Sequence, residues 1–263
     1  EAENNLYFMK IAIVGAGVVG VTTAYELALD GHAVTVFEQR SATAEEASFA
    51  TGGLLAPGVL DPWSAPGTAC PPGVLGRHAA VHLGRSISLA ELSWLRRWRS
   101  AARASARSGA PLPPLVALER LARYSRARLQ HLVESLGLVF ESSAGALLLL
   151  RTPQDAEGLA PVLKVLRDTG TVVRELDADA ARAIEPGLSP SLPLAGALHL
   201  PDGLAGNCRQ FALLLRQAAQ QRGTQFEFNA CVARLSSAPA GVQLEGESAP
   251  RPFDAVVLCA GAQ

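Results

Sequence analysis

At 263 residues the chain is long enough for one large domain or two smaller ones, and 49% hydrophobic against 18% charged residues leaves ample apolar mass for a core. A formal charge of -1 and a pI near 6.6 exclude an overall electrostatic pull toward nucleic acid or an anionic membrane. No run reaches the roughly 18 apolar residues of a membrane span, so the chain reads as soluble or at most peripheral.

Residues 1–8 include Glu3-Asn4-Asn5-Leu6-Tyr7-Phe8, which resembles a protease-cleavage tag remnant, and the natural chain is taken to start at Met9. Lys10–Val14 reads as a buried strand and Val18–Asp30 as a helix that opens in a glycine turn and is closed by Gly31. Ala33–Glu38 is a second strand of β-branched and aromatic residues. The three form a βαβ unit, whose default is a parallel sheet with a right-handed crossover. The apolar stretch Ile11–Leu29 is no signal peptide, because Gly15, Gly17, Gly20 and Glu26 interrupt it and no small-residue cleavage site follows.

Gly52–Gly76 is rich in Gly and Pro and reads as irregular loop. Helices are expected over Leu89–Ser108 and Pro114–Leu136, the second with Leu115, Leu118, Leu121, Leu129 and Leu132 near a helical period. A strand at Ala146–Leu150, a helix at Pro153–Asp168 and a strand at Val172–Leu176 follow. A strand near Ala197–Leu200 should end at Pro201-Asp202-Gly203. Then come a helix over Cys208–Gln221 and strands at Gln225–Phe228, Cys231–Leu235, Gly241–Leu244 and Ala255–Cys259. The last is read as buried and followed by a small-residue turn.

The chemistry sits at Ile11-Ala12-Ile13-Val14-Gly15-Ala16-Gly17-Val18-Val19-Gly20, a GxGxxG between strand and helix. Gly15 permits the tight turn, Gly17 lets the backbone approach a diphosphate, and Gly20 lets the helix pack on the sheet. The helix N-terminus then presents N–H groups to the diphosphate. Glu38, ending the second strand, suits a ribose with free hydroxyls and repels a 2′-phosphate, an exclusion that Arg40 weakens. The motif alone serves NAD or FAD. Two segments favour FAD: the small and polar Ser48-Phe49-Ala50-Thr51-Gly52-Gly53-Leu54-Leu55, and the turn Cys259-Ala260-Gly261 after the last strand.

Other residues carry less. Cys70, Cys208, Cys231 and Cys259 make no CxxC pair and read as reduced, cytosolic thiols. His32, after the helix-ending Gly31, reads as a surface turn residue, and His78, His82, His131 and His199 share no metal-ligand spacing with one another or with cysteine, so no metal is expected. The serines lack a GxSxG setting, which excludes the common hydrolase elbow. Trp94-Leu95-Arg96-Arg97-Trp98-Arg99 has the make-up of a basic amphipathic helix. A solvated face with its tryptophans packed inward is preferred there over membrane contact.

Several stretches together resemble the FAD-dependent D-amino-acid dehydrogenase small subunit, within the glycine-oxidase and D-amino-acid-oxidase superfamily. They are Ile13–Val21, Gly52–Gly58, Pro62-Trp63-Ser64-Ala65-Pro66-Gly67, Arg120-Leu121-Ala122-Arg123-Tyr124-Ser125, Leu200-Pro201-Asp202-Gly203 and Cys208-Arg209-Gln210-Phe211. One departure is Thr51, where the nearest relatives carry Asn. The resemblance implies an α/β fold: a Rossmann-like FAD-binding domain interrupted by an α+β substrate domain. The corresponding boundaries are 9–62 and 203–263 for the first and 63–202 for a partial second.

The resemblance further implies FAD as cofactor, held by Ile11, Val14, Gly15, Ala16, Gly17, Val18, Val19, Gly20, Tyr25, Glu38, Gln39, Arg40, Ser48, Thr51, Gly52, Gly53, Leu54, Val232, Cys259, Ala260 and Gly261. Gly52, Gly53 and Leu54 are expected near the isoalloxazine, and the Val232 backbone near the adenine. The implied reaction oxidises a D-amino acid to a 2-oxo acid and ammonia, with electrons passed to a quinone or another respiratory acceptor. That sets the protein in the bacterial cytoplasm or peripherally on the inner face of the inner membrane. No catalytic residue is assigned, because the family's substrate-carboxylate groups lie beyond Gln263; the C-terminal part of the family fold is expected in a further segment or a second polypeptide. Three alternatives stay open: a glycine- or sarcosine-type amine oxidase, a non-catalytic FAD-binding fragment or subunit of a split enzyme, and, disfavoured by the flavin-type segments, an NAD-dependent dehydrogenase.

Overall fold

A computed structural model describes residues 8–55, 88–108 and 113–261. The chain divides into two compact units: one from the chain up to Gly53, Leu132–Ser142 and the chain from Gly206 on, the other from Leu54–His131 and Ser143–Ala205.

The first unit is built on a parallel sheet. β1 (Lys10–Val14) pairs with β2 (Ala33–Phe37), joined by helix α1 (Val18–Leu29), as the βαβ reading requires. β11 (Ala255–Leu258) lies parallel on the other side of β1, and β7 (Gln225–Glu227) parallel beside β2, giving the order β11-β1-β2-β7. Strand alternation gives the sheet two apolar faces. Ala12 and Phe37 meet Ala230 and Val242, with Val14, Val232, Leu244, Phe253 and Val256 around them. Val232, Val242 and Leu244 come from a second, antiparallel sheet of β8 (Val232–Ser237), β9 (Ala240–Leu244) and β10 (Arg251–Pro252), and Ala230 and Phe253 flank it. Ile11, Ile13, Val34 and Val36 are buried on the opposite face.

α1 packs on α6 (Cys208–Gln221), and small residues let the helices approach: Ala24 and Ala28 on one, Ala212 and Ala219 on the other. Asn207 caps α6 by accepting the Gln210 N–H at 3.1 Å. At the far edge of the parallel sheet β11 is half-buried and Leu258 is 64% exposed, so the reading of Ala255–Cys259 as a buried strand is corrected. Among the described residues, β1 is its only strand partner.

The second unit holds helices α2 (Leu89–Ser108), α4 (Pro153–Asp168) and α5 (Ala178–Ile184), most of α3 (Pro113–Leu136), and a sheet of β3 (Leu54–Leu55), β6 (Gly196–Gly206) and β4 (Ser142–Leu150), with β5 (Arg174–Leu176) also on β6. Val165 and Leu166 of α4 pack against Leu200 of β6. α4 starts in a capping box between Thr152 and Asp155.

Two expectations change here. Pro201-Asp202-Gly203 does not end a strand: β6 runs through it without a break. A Cβ on Gly203 would lie 2.9 Å from the Ala146 Cβ, so the glycine serves a close neighbouring strand rather than a turn. α5, absent from the sequence reading, is a seven-residue helix that starts where Asp177 accepts the Ala180 N–H at 2.8 Å.

Candidate functional site: a glycine turn backed by Glu38

The turn from β1 into α1 is fixed on several sides by the protein itself. Gly15 has φ of 103°, a conformation L side chains rarely adopt, and a Cβ there would lie 2.5 Å from the Cys259 carbonyl oxygen. A Cβ on Gly20 would overlap the Gly15 carbonyl oxygen. Both glycines are therefore required by the packing of α1 and β11 around the turn.

Gly17 differs. It is the N-cap of α1 with φ of −69°, open to any residue, and among the described residues a Cβ there would meet only the Ser48 hydroxyl, closely, at 3.2 Å. Backbone geometry does not demand glycine at this position, and the one tight contact is with a side-chain hydroxyl. Close approach of a ligand to the main chain would demand it.

Glu38 follows β2 directly and is 9% exposed. Its Oε2 accepts the Ala16 N–H at 2.7 Å and its Oε1 accepts the Arg40 N–H at 2.8 Å. A carboxylate oxygen accepts two hydrogen bonds, so each oxygen keeps a lone pair for a hydroxyl. Arg40 forms an ion pair with Glu46, which draws its charge toward a carboxylate and away from a phosphate role. The segment after Arg40 folds back on the turn, with the Ala44 N–H donating to the Ala16 carbonyl at 3.1 Å and the Val18 N–H donating to the Ser48 hydroxyl at 3.0 Å. No acidic side chain occupies the first turn of α1. An open glycine at a helix N-terminus, a hydroxyl beside it and a carboxylate behind it together fit a diphosphate joined to a ribose.

The remaining candidates are placed as follows. Cys259 and Ala260 bring their backbone against Gly15, and the Cys259 N–H donates to the Val14 carbonyl at 2.7 Å. Burial pushes the Cys259 thiol above its ordinary range. Gly261, with φ of 73°, continues the turn, and Val19 is exposed on the first turn of α1. Val232 opens β8, two residues after Ala230, whose N–H donates to the Glu38 carbonyl at 2.9 Å, so the structure brings this segment to the acid. Gln39 lies between Glu38 and Arg40 on the same stretch.

Thr51 accepts the Gly53 N–H at 3.1 Å, and the Gly206 N–H donates to the Gly53 carbonyl at 2.8 Å. Among the described residues nothing lies near a Cβ on Gly52, and Leu54 is exposed on β3. Ile11 and Tyr25 are enclosed by protein, Tyr25 with the Arg222 guanidinium 5.3 Å from its ring centre. Their role is packing beneath the turn. Glu46 and Glu227, both tied to this site, were missed; a partner six residues on, or on a distant strand, leaves no sequence signal.

The matches with known proteins follow the same lines. Residues 10–263 match the family model described as DAO, FAD dependent oxidoreductase. The D-amino acid dehydrogenase of Phenylobacterium zucineum (strain HLK1) is 34% identical over 260 residues, covering 96% of this chain and 60% of that protein. The D-amino acid dehydrogenase of Cereibacter sphaeroides (strain ATCC 17029 / ATH 2.4.9) is 37% identical over 235 residues, 86% of this chain and 52% of that one. The chain thus spans little more than half the length of these curated relatives. Among solved structures, the fold resembles glycine oxidase from Geobacillus kaustophilus with a TM-score of 0.66 at 23% identity, covering 97% of this chain and 55% of that one. The chain belongs to the DAO family of FAD dependent oxidoreductases.

Proposed function

We propose that this chain is the FAD-binding part of a D-amino-acid dehydrogenase, which oxidises D-amino acids to 2-oxo acids and ammonia and passes electrons to a quinone or another respiratory acceptor. The observation that carries the cofactor part is Gly17, a glycine whose backbone conformation any residue could adopt, standing beside the Ser48 hydroxyl at the α1 N-terminus, where it leaves room for a ligand against the main chain. Support for the substrate class comes from the two curated relatives at 34% and 37% identity.

In this reading FAD, when bound, supplies the two-electron redox chemistry. The protein's residues bind and orient it. The amides of the α1 N-terminus and the Ser48 hydroxyl hold the diphosphate, and the free lone pairs of Glu38 take the ribose hydroxyls. The Gly15–Cys259 contact keeps the turn in shape, and the Val232 backbone borders the adenine. Gly52, Gly53 and Leu54 lie toward the ring system. The same reading places the protein in the bacterial cytoplasm, reaching its quinone at the inner face of the inner membrane. An amine oxidase acting on glycine or sarcosine is the second reading, favoured by the fold likeness to glycine oxidase.

A visible spectrum before and after D-alanine, under nitrogen and with a quinone-like dye, tests the proposal. Flavin absorbance that bleaches with D-alanine and recovers on adding dye is expected of the whole enzyme. Released cofactor that chromatographs as NAD sinks the reading, and bleaching by glycine but not D-alanine moves it to the second.

A further inference from the structure

The carboxylate behind the glycine turn is itself held from behind, by a side chain on a strand absent from the sequence reading. The Glu38 N–H donates to the Glu227 carbonyl at 2.9 Å, and the Glu38 carbonyl accepts the Ala230 N–H at 2.9 Å. The backbone at Glu38 is therefore set by the end of β7. That strand has three residues and, among the described residues, pairs only with β2, its last residue lying opposite Phe37.

Arg251 of β10 grips this end. Its Nη1 donates to both oxygens of Glu227, at 2.9 and 2.8 Å, and its Nε donates to Glu247 at 2.9 Å. The guanidinium lies 5.6 Å from the ring centre of Phe37, the residue before Glu38. Glu247 also accepts the Leu244 N–H at 3.1 Å, and that bond, followed by Arg251, holds its carboxyl below the usual range. One planar cation thus joins the end of β7, the turn after β9 and the last residue of β2, which a lysine's point charge cannot do equally well.

We propose that Arg251 is a positioning residue for the ADP-ribose end of the cofactor: by clamping Glu227 it fixes the backbone from which Glu38 presents its carboxylate to the ribose. This rests on the reading of Glu38 as the ribose acceptor. The side chains of Arg251 and Glu227 are 40% and 37% exposed, so as ion pairs they add little to global stability. Their effect falls on ligand affinity, through the orientation of one carboxylate.

The test is a double-mutant cycle on the cofactor-stripped 263-residue chain, with Kd for FAD read by flavin fluorescence and Tm measured without ligand. Arg251→Met raises Kd about five- to tenfold with little change in Tm, and Arg251→Lys recovers part of the loss. In a Glu38→Gln background the same substitution costs about twofold or less, because the group it positions is already impaired. Where Arg251→Met does not fold, Glu227→Gln cuts the clamp from its other side and must show the same non-additivity. Full additivity, or unchanged Kd in Arg251→Met with a clear loss in Glu38→Gln, overturns the Arg251 assignment alone. An unchanged Kd in Glu38→Gln removes the ribose reading and this proposal with it.

Discussion

The turn after β1 and the Gly52–Gly53 segment both place glycine against backbone, yet they are held in different ways. Around the first, Cys259, Glu38, Ser48 and Ala44 meet Gly15, Ala16 and Val18, so the turn is held in shape by protein contacts. The second is tied through Gly53 to Gly206 and Thr51, while no described residue lies near a Cβ on Gly52 and Leu54 is 56% exposed. A cradle already in shape loses little ordering entropy when a ligand arrives. In the proposed reading, the nucleotide end of the cofactor therefore meets the better-ordered part of this unit.

The comparison breaks most sharply within the turn. Gly20→Ala sets a methyl onto the Gly15 carbonyl and should destabilise the fold by about 3 kcal/mol or more, read as a lower denaturant midpoint without any ligand. Gly17→Val should lower that midpoint far less, since only the Ser48 hydroxyl among the described residues must give way, and should abolish FAD binding by placing a side chain where the proposed diphosphate lies. If Gly17→Val unfolds the protein, or binds FAD as the parent does, the division into a fold glycine and a ligand glycine is lost.

A smaller effect is expected behind the turn. Glu38→Ala should weaken FAD binding by about 1.5–3 kcal/mol, the scale of hydrogen bonds to a charged group. The Ala16 and Arg40 N–H groups lose their acceptor in the same variant, so ligand-free stability falls as well. Comparing FAD with a flavin that lacks the adenosine separates the two, since the ribose contact affects FAD alone. Unchanged FAD affinity removes Glu38 from the site.

The turn, the βαβ unit and Glu38 were legible in sequence because each is local: three glycines, a period change and a carboxylate within 24 residues of Gly15. Ser48 was legible as a small polar residue in a flavin-type segment, though its bond to the Val18 N–H was not. What escaped was set by partners far along the chain. Gly203 reads as a turn until β4 is seen beside it, and Leu258 reads as buried until β11 is seen at the sheet edge. Arg251 on a two-residue strand carries no pattern at all, and its meaning comes from Glu227, 24 residues away. Pro62–Gly67, part of the resemblance, lies outside the described residues.

The smallest effect concerns the second unit, where α2 carries Arg96, Arg97, Arg99, Arg103 and Arg107 against Glu91. Arg96 and Arg97 are exposed and Leu95 is half-buried, which suits a helix packed on one side with its charges in solvent. Trp94 departs from the expectation that it packs inward, being 47% exposed, and Leu89 and Leu92 are exposed beside it. Among the described residues no helix is long and apolar enough to cross a membrane. An arginine near an anionic surface contributes about 1 kcal/mol, so a lipid role for this helix would show as binding that salt removes. Flotation with vesicles rich in anionic lipid should therefore leave the protein at the bottom of the gradient, and Arg96→Glu with Arg97→Glu should change nothing. Flotation at low salt that the double substitution abolishes would turn the solvated face into a lipid-binding one, and with it move the two units from a binding scaffold in solution to one working at a bilayer.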